Sequence, residues 1–135
     1  MTEVYQEIMY VITENGIVNS QDVTVGIIRE ISTKEELTEL MERMPYIQTI
    51  QAPNGKVRKE LYELSMKEYD DVEWVKVIKS VYIRMEDREY DDFEVDYMKK
   101  AKKFLYQEIA LRFLLPFDEV EHFINKTVEK HLEEF

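Results

Sequence analysis

The apolar pattern of this chain changes period at Ser32, and that change limits the possible folds more than any single motif does. Before it, residues 8–20 ("IMYVITENGIVNS") hold two short runs of β-branched and aromatic residues around "ENG". Asn-Gly favours the positive φ of a tight turn, so the segment reads as a hairpin. Residues 22–31 ("DVTVGIIREI") read as a third strand. A lone hairpin is only marginally stable, so these strands need support from elsewhere. After Ser32 the apolar residues recur at steps of three and four, the period of a helix packed on one side.

Cap signals divide the second part into five helices. "STKE" reads as a capping box, with Ser32 accepting from the backbone and Glu35 reaching back. Leu37, Leu40 and Met41 then share one face, and Pro45 ends the helix. A second helix is predicted over residues 56–69, with Val57, Leu61, Leu64 and Met66 inward. Asp70 and Glu73 open a third, to about residue 86. Asp91 and Glu94 open a fourth, to about residue 113. Asp118 lies near the start of a fifth, ending near residue 132. In the third helix Trp74, Val77, Ile78, Val81, Tyr82 and Met85 recur at helical steps, so the only tryptophan is read as core and not as a probe of some partner. In the fourth, Met98, Ala101, Leu105 and Ile109 form the seam. The expected fold is mainly α: a five-helix compact domain over residues 32–135, with a short N-terminal β hairpin or three-strand remnant over residues 1–31.

Composition narrows the function classes. The chain has 135 residues, 44% of them hydrophobic, which is enough for a real core. A net charge of -11 opposes tight unaided binding to a phosphate backbone, although one basic face is still able to meet DNA that a larger partner holds. The absence of cysteine removes disulfides, thiolate metal sites and a Cys nucleophile, and fits a reducing compartment. The N-terminus lacks a basic n-region followed by an apolar run, so no signal peptide is read and a cytoplasmic location is expected. No apolar stretch approaches membrane-spanning length.

The chemistry-bearing residues are sparse. Glu119-x-x-His122 has the spacing of a di-iron half-site, but there is no second Glu-x-x-His to complete it. With two histidines, no Gly-rich phosphate loop and no carboxylate pair in an apolar setting, neither an enzyme nor a cofactor is expected. The richest basic stretch is "YMKKAKKFLY", where Lys99, Lys100, Lys102 and Lys103 surround the fourth helix's seam. It reads either as a phosphate-facing patch or as a solvated face paired with carboxylates. Lys56, Arg58 and Lys59 form a smaller cluster open to the same two readings.

Three blocks in order, "REISTKEELTELM", "VKVIKSVYIR" and "AKKFLYQEIAL", followed by "DEVEHFI", resemble the C-terminal helical domain of the CarD family of bacterial transcription regulators. The resemblance covers residues 28–132. It implies a non-catalytic regulator. In that family an N-terminal Tudor-like module grips the β subunit of RNA polymerase, while the helical domain meets promoter DNA at the upstream edge of the melted region. Basic residues at Lys79, Arg84, Lys100 and Lys102 carry over as candidate DNA contacts. Residues 10–27 resemble only the last strands of the polymerase-binding module. The tryptophan that some members wedge into the minor groove falls at Gly55 here, so that device is not implied. Leu114 stands where members often end the fourth helix with glycine, which implies a different turn; Phe113, Leu114, Leu115 and Phe117 form an apolar cluster that reads either as core, the favoured reading, or as an exposed apolar edge. The alternative is a protein-interaction module that has lost DNA contact and pairs through its N-terminal strands, with a partner or as a homodimer.

Overall fold

A computed structural model describes residues 9–134. The chain divides into two compact units between Ser32 and Thr33. The first is a three-stranded antiparallel sheet in the order β2-β1-β3, built from β1 (Tyr10–Thr13), β2 (Gly16–Asn19) and β3 (Arg29–Glu30). Thr13 pairs with Gly16 across the turn, and the Thr13 hydroxyl donates to the Gly16 carbonyl at 2.8 Å. Gly16 has φ +136°, a conformation that side chains with a Cβ rarely adopt. Val11, Ile12, Ile17 and Ile31 are buried. The predicted strand over residues 22–31 shrinks to Arg29–Glu30, paired with Ile12 and Val11. Gly26 at φ +81° breaks the extended run before it, and Val25, Ile27 and Ile28 face solvent. Residue 8, where the first strand was expected to begin, lies outside the described residues.

The second unit contains α1 (Lys34–Arg43), α2 (Gly55–Lys67), α3 (Asp71–Glu86), α4 (Asp92–Phe113) and α5 (Val120–Glu133). The mainly α fold with a small N-terminal sheet is as the sequence predicts. The capping boxes are Thr33 with Glu36 at α1 and Asp91 with Glu94 at α4. The first lies one residue later than "STKE" suggested, because Ser32 and Thr33 are both competent caps and only the helix register chooses between them.

The core lies where α3 and α4 pack along their length. Trp74 is fully buried, its ring stacked on Phe104 at 5.0 Å between centroids and 11° between planes. Val77, Val81, Ala101, Leu105 and Ile109 continue this layer, with Leu37 and Met41 of α1 and Val120 and Ile124 of α5 also buried. Two inward assignments fail. Leu64 is exposed, while Tyr62 and Ser65 take the buried positions of α2, so its inner face is rotated from the one that aliphatic residues alone suggested. Tyr82 is 58% exposed. It lies two turns past Trp74 and about 80° round the helix, at the margin of the buried arc, with its hydroxyl bonded to Glu86.

Three helices end on a residue with positive φ that is not glycine: Tyr69 (+50°), Arg88 (+57°) and Leu114 (+56°). The turn after α4 is therefore the left-handed one that glycine normally makes, and the expectation of a different turn is corrected. The Leu114 and Leu115 amides both donate to the Ala110 carbonyl, which satisfies the helix end. This geometry turns Leu114 outward at 88% exposure and leaves Phe117 at 51%, so neither is core as predicted; Phe113 and Leu115 are part-buried. Tyr69 recovers packing energy edge-on against Phe104 at 5.7 Å, but Leu114 recovers little. Leu114→Gly should therefore raise stability by about 1 kcal/mol, read as a higher denaturant midpoint at unchanged slope.

Candidate contact surface

The four predicted DNA contacts do not form one patch. Lys79, on α3, points inward. Its ammonium donates to the Met44 carbonyl at 2.8 Å and the Ile47 carbonyl at 2.6 Å, tying down the chain between α1 and α2. Burial lowers its pKa. Ser80 adds to the same tether, accepting from the Ile50 amide at 2.8 Å and donating to the Lys76 carbonyl at 2.6 Å.

Arg84 is committed to Glu94. Its Nε donates to Glu94 Oε1 at 2.7 Å, and a terminal nitrogen donates to the Glu89 carbonyl. Glu94 is fully buried at the start of α4. It also accepts from the Tyr62 hydroxyl at 2.8 Å and from the Asp91 amide at 2.7 Å, with Arg58 Nε 3.9 Å away. Burial pushes the Glu94 pKa up, but the bonds from Arg84, the Asp91 amide and Tyr62 outweigh it and leave the pKa below the ordinary carboxylate range. Burial and the adjacent Glu94 carboxylate raise the Tyr62 pKa. One carboxylate thus joins α2, α3 and α4.

This network was not read from the sequence, where Glu94 was assigned only as a cap. The signal was its spacing: Glu94, Met98, Ala101, Leu105 and Glu108 succeed one another at steps of four and three, which puts both glutamates on the buried seam. Glu108 is likewise fully buried.

Lys100 and Lys102 lie two residues apart on α4, about 200° round the helix, and so face different neighbours. Lys102 faces α5, with its ammonium 3.4 Å from Glu121 and 5.8 Å from the centre of the Tyr106 ring. Glu121 also accepts from the Tyr106 hydroxyl at 3.2 Å; burial and this carboxylate raise the Tyr106 pKa. Lys100 is exposed on the α2 side, 5.8 Å from the centre of the Tyr97 ring. Lys59 of α2 stands 6.0 Å from the centre of the Phe93 ring. Phe93 and Tyr97 meet edge to face at 6.5 Å, and Tyr97 meets the buried Tyr62 at 5.9 Å. Two solvent-facing ammonium groups and two part-buried rings thus share the surface between α2 and α4.

Among the described residues, no group of three or more His, Cys, Asp or Glu is placed to hold a metal ion, and Glu119 and His122 are both exposed. Among the same residues no helix is long and apolar enough to cross a membrane. No protein-family model matches the chain, and neither does any curated protein.

Proposed function

We propose that this chain is a non-catalytic transcription regulator of the CarD kind, which acts in the cytoplasm by lengthening the life of a promoter complex held by RNA polymerase. The observation that supports this most is the placement of the resembling blocks. "VKVIKSVYIR" forms α3 and "AKKFLYQEIAL" forms α4, and these two helices make the principal packing layer of a five-helix unit. Lys100 is the exposed member of the four proposed contacts, since Lys79 and Arg84 bond within the unit and Lys102 pairs with Glu121. The net charge of -11 means that a larger partner must hold the DNA in reach. Adding the chain to promoter-bound bacterial RNA polymerase should lengthen the open-complex lifetime several-fold. Lys100→Glu together with Lys102→Glu should remove the effect. A lifetime that does not respond to the chain, or responds equally to the double variant, would refute the reading.

A second reading rests on the first unit. Val25, Ile27 and Ile28 are 81%, 48% and 43% exposed beside a sheet whose outer strands, among the described residues, are β2 and β3. Such an edge is suited to adding a strand from a partner or a second copy. Light scattering after size exclusion decides the self-pairing form: a homodimer that Val25→Lys with Ile27→Lys converts to monomer supports it, and a monomer across micromolar concentrations rules it out.

A further inference from the structure

We propose that residues 44–53 form a strap over α3 that opens as a unit while the helices stay packed, and that the Lys79 ammonium is its latch. The strap is a conformational device of the helical unit and needs no particular partner, so it stands apart from the proposed function.

The strap joins α1 to α2 with the sequence "MPYIQTIQAP". It contains one short helical turn, Met44–Tyr46, which the Ile47 amide closes on the Met44 carbonyl at 3.3 Å. None of its residues is charged, in a chain where 35% are, so it brings no ion pair of its own. None of them is buried either. Opening the strap therefore gives up little apolar contact, whereas separating α3 from α4 uncovers Trp74, Phe104 and Leu105. A segment with few buried apolar contacts opens at a lower free energy than the core does.

The bonds that close the strap reach it from the helices beneath. Lys79 spans the Met44 and Ile47 carbonyls at 2.8 and 2.6 Å, Ser80 accepts from the Ile50 amide at 2.8 Å, and Arg58 donates to the Ala52 carbonyl at 3.2 Å. Lys79 dominates, because one charged donor serves two carbonyls and such bonds are roughly twice as strong as neutral ones. Arg58 is also charged, but its bond is longer and its Nε faces Glu94 at 3.9 Å as well. Opening brings Lys79 to solvent together with Ser80, which is 2% exposed while the strap is closed. Any change that removes the Lys79 charge, such as acylation of its amine, shifts the balance toward the open form.

Hydrogen exchange of the full chain, read by mass spectrometry in water and in low denaturant, tests the device. Strap amides should exchange at least about tenfold faster than those in the middle of α3 and α4. Low denaturant should leave strap exchange nearly unchanged and speed exchange in the core, because denaturant sensitivity scales with the surface exposed. Lys79→Met keeps the length of the side chain and removes its donors. It should speed strap exchange by at least about tenfold, the effect of losing a hydrogen bond to a charged group, and leave the strap insensitive to denaturant. Lys79→Arg, which keeps the charge, should have a smaller effect. Should Lys79→Met fail to fold, Ser80→Ala carries the same test, since it removes the acceptor of the Ile50 amide and should speed exchange at that end of the strap. Strap amides that exchange at the core's rate and with the core's denaturant dependence would show that the strap opens only when the whole unit unfolds, and the proposal would be wrong. Strap exchange that is the same in the unaltered chain and in Lys79→Met would remove Lys79 as the latch.

Discussion

Replacing Glu94 with alanine should destabilise the helical unit by about 3–5 kcal/mol, the range for removing one partner of a buried ion pair. The loss has several parts. Arg84 loses its buried carboxylate partner and retains its bond to the Glu89 carbonyl, Tyr62 keeps a buried hydroxyl that has lost its acceptor, and the Asp91 amide loses its cap. Each is a polar group desolvated without compensation. Glu94→Gln preserves the shape and one acceptor oxygen, so it should cost less than alanine. Denaturant unfolding followed by helical circular dichroism measures both; a cost below about 1 kcal/mol for the alanine variant would mean that the network contributes little.

The same carboxylate gives a pH signature. Its folded pKa lies below its unfolded value. The stabilisation is therefore fully present above the ordinary glutamate pKa of about 4.3, and is lost as pH falls through the folded value. Between neutral pH and that point the unaltered chain and Glu94→Gln should differ by a constant amount. Below it the difference should shrink, because protonation removes what the substitution already removed.

The second large effect is at Trp74. Trp74→Ala should cost about 3–5 kcal/mol, because the indole is fully buried and its removal leaves a cavity in the α3–α4 layer that a packed core refills only in part. Phe104 loses the ring stacked on it, and Tyr69, edge-on to Phe104, loses support in turn. Trp74→Phe keeps an aromatic face against Phe104 and should cost less than half as much. The native chain offers a direct check, since its one tryptophan should emit at short wavelength and resist quenching by iodide. Emission typical of water-exposed indole would overturn both the packing and the prediction.

These two residues show unequally well what could be read in advance. Trp74 was legible because Val77 and Val81 follow it at helical steps, and burial of a large ring among aliphatic residues depends on little else. The α4 seam was legible for the same reason. Glu94 was half legible: the capping role followed from its position three residues after Asp91, but its burial required Arg84 and Tyr62 to arrive from two other helices. The DNA-contact set suffered in the same way. Lys79 and Arg84 look like surface charges in a linear reading, and both point at acceptors more than nine residues away in sequence. Leu114 was misjudged because side-chain type said core, whereas the backbone conformation that closes α4 turned it to solvent.

The order of five helices after a small sheet, the placement of most caps and the aliphatic stripe around Trp74 follow from the sequence alone, because periodicity and capping are short-range properties that each segment carries with it. Which charges remain on the surface was decided only by the tertiary structure. A carboxylate or an ammonium is buried or exposed according to whether distant segments bring it a partner, and for Lys79, Arg84 and Glu94 they do.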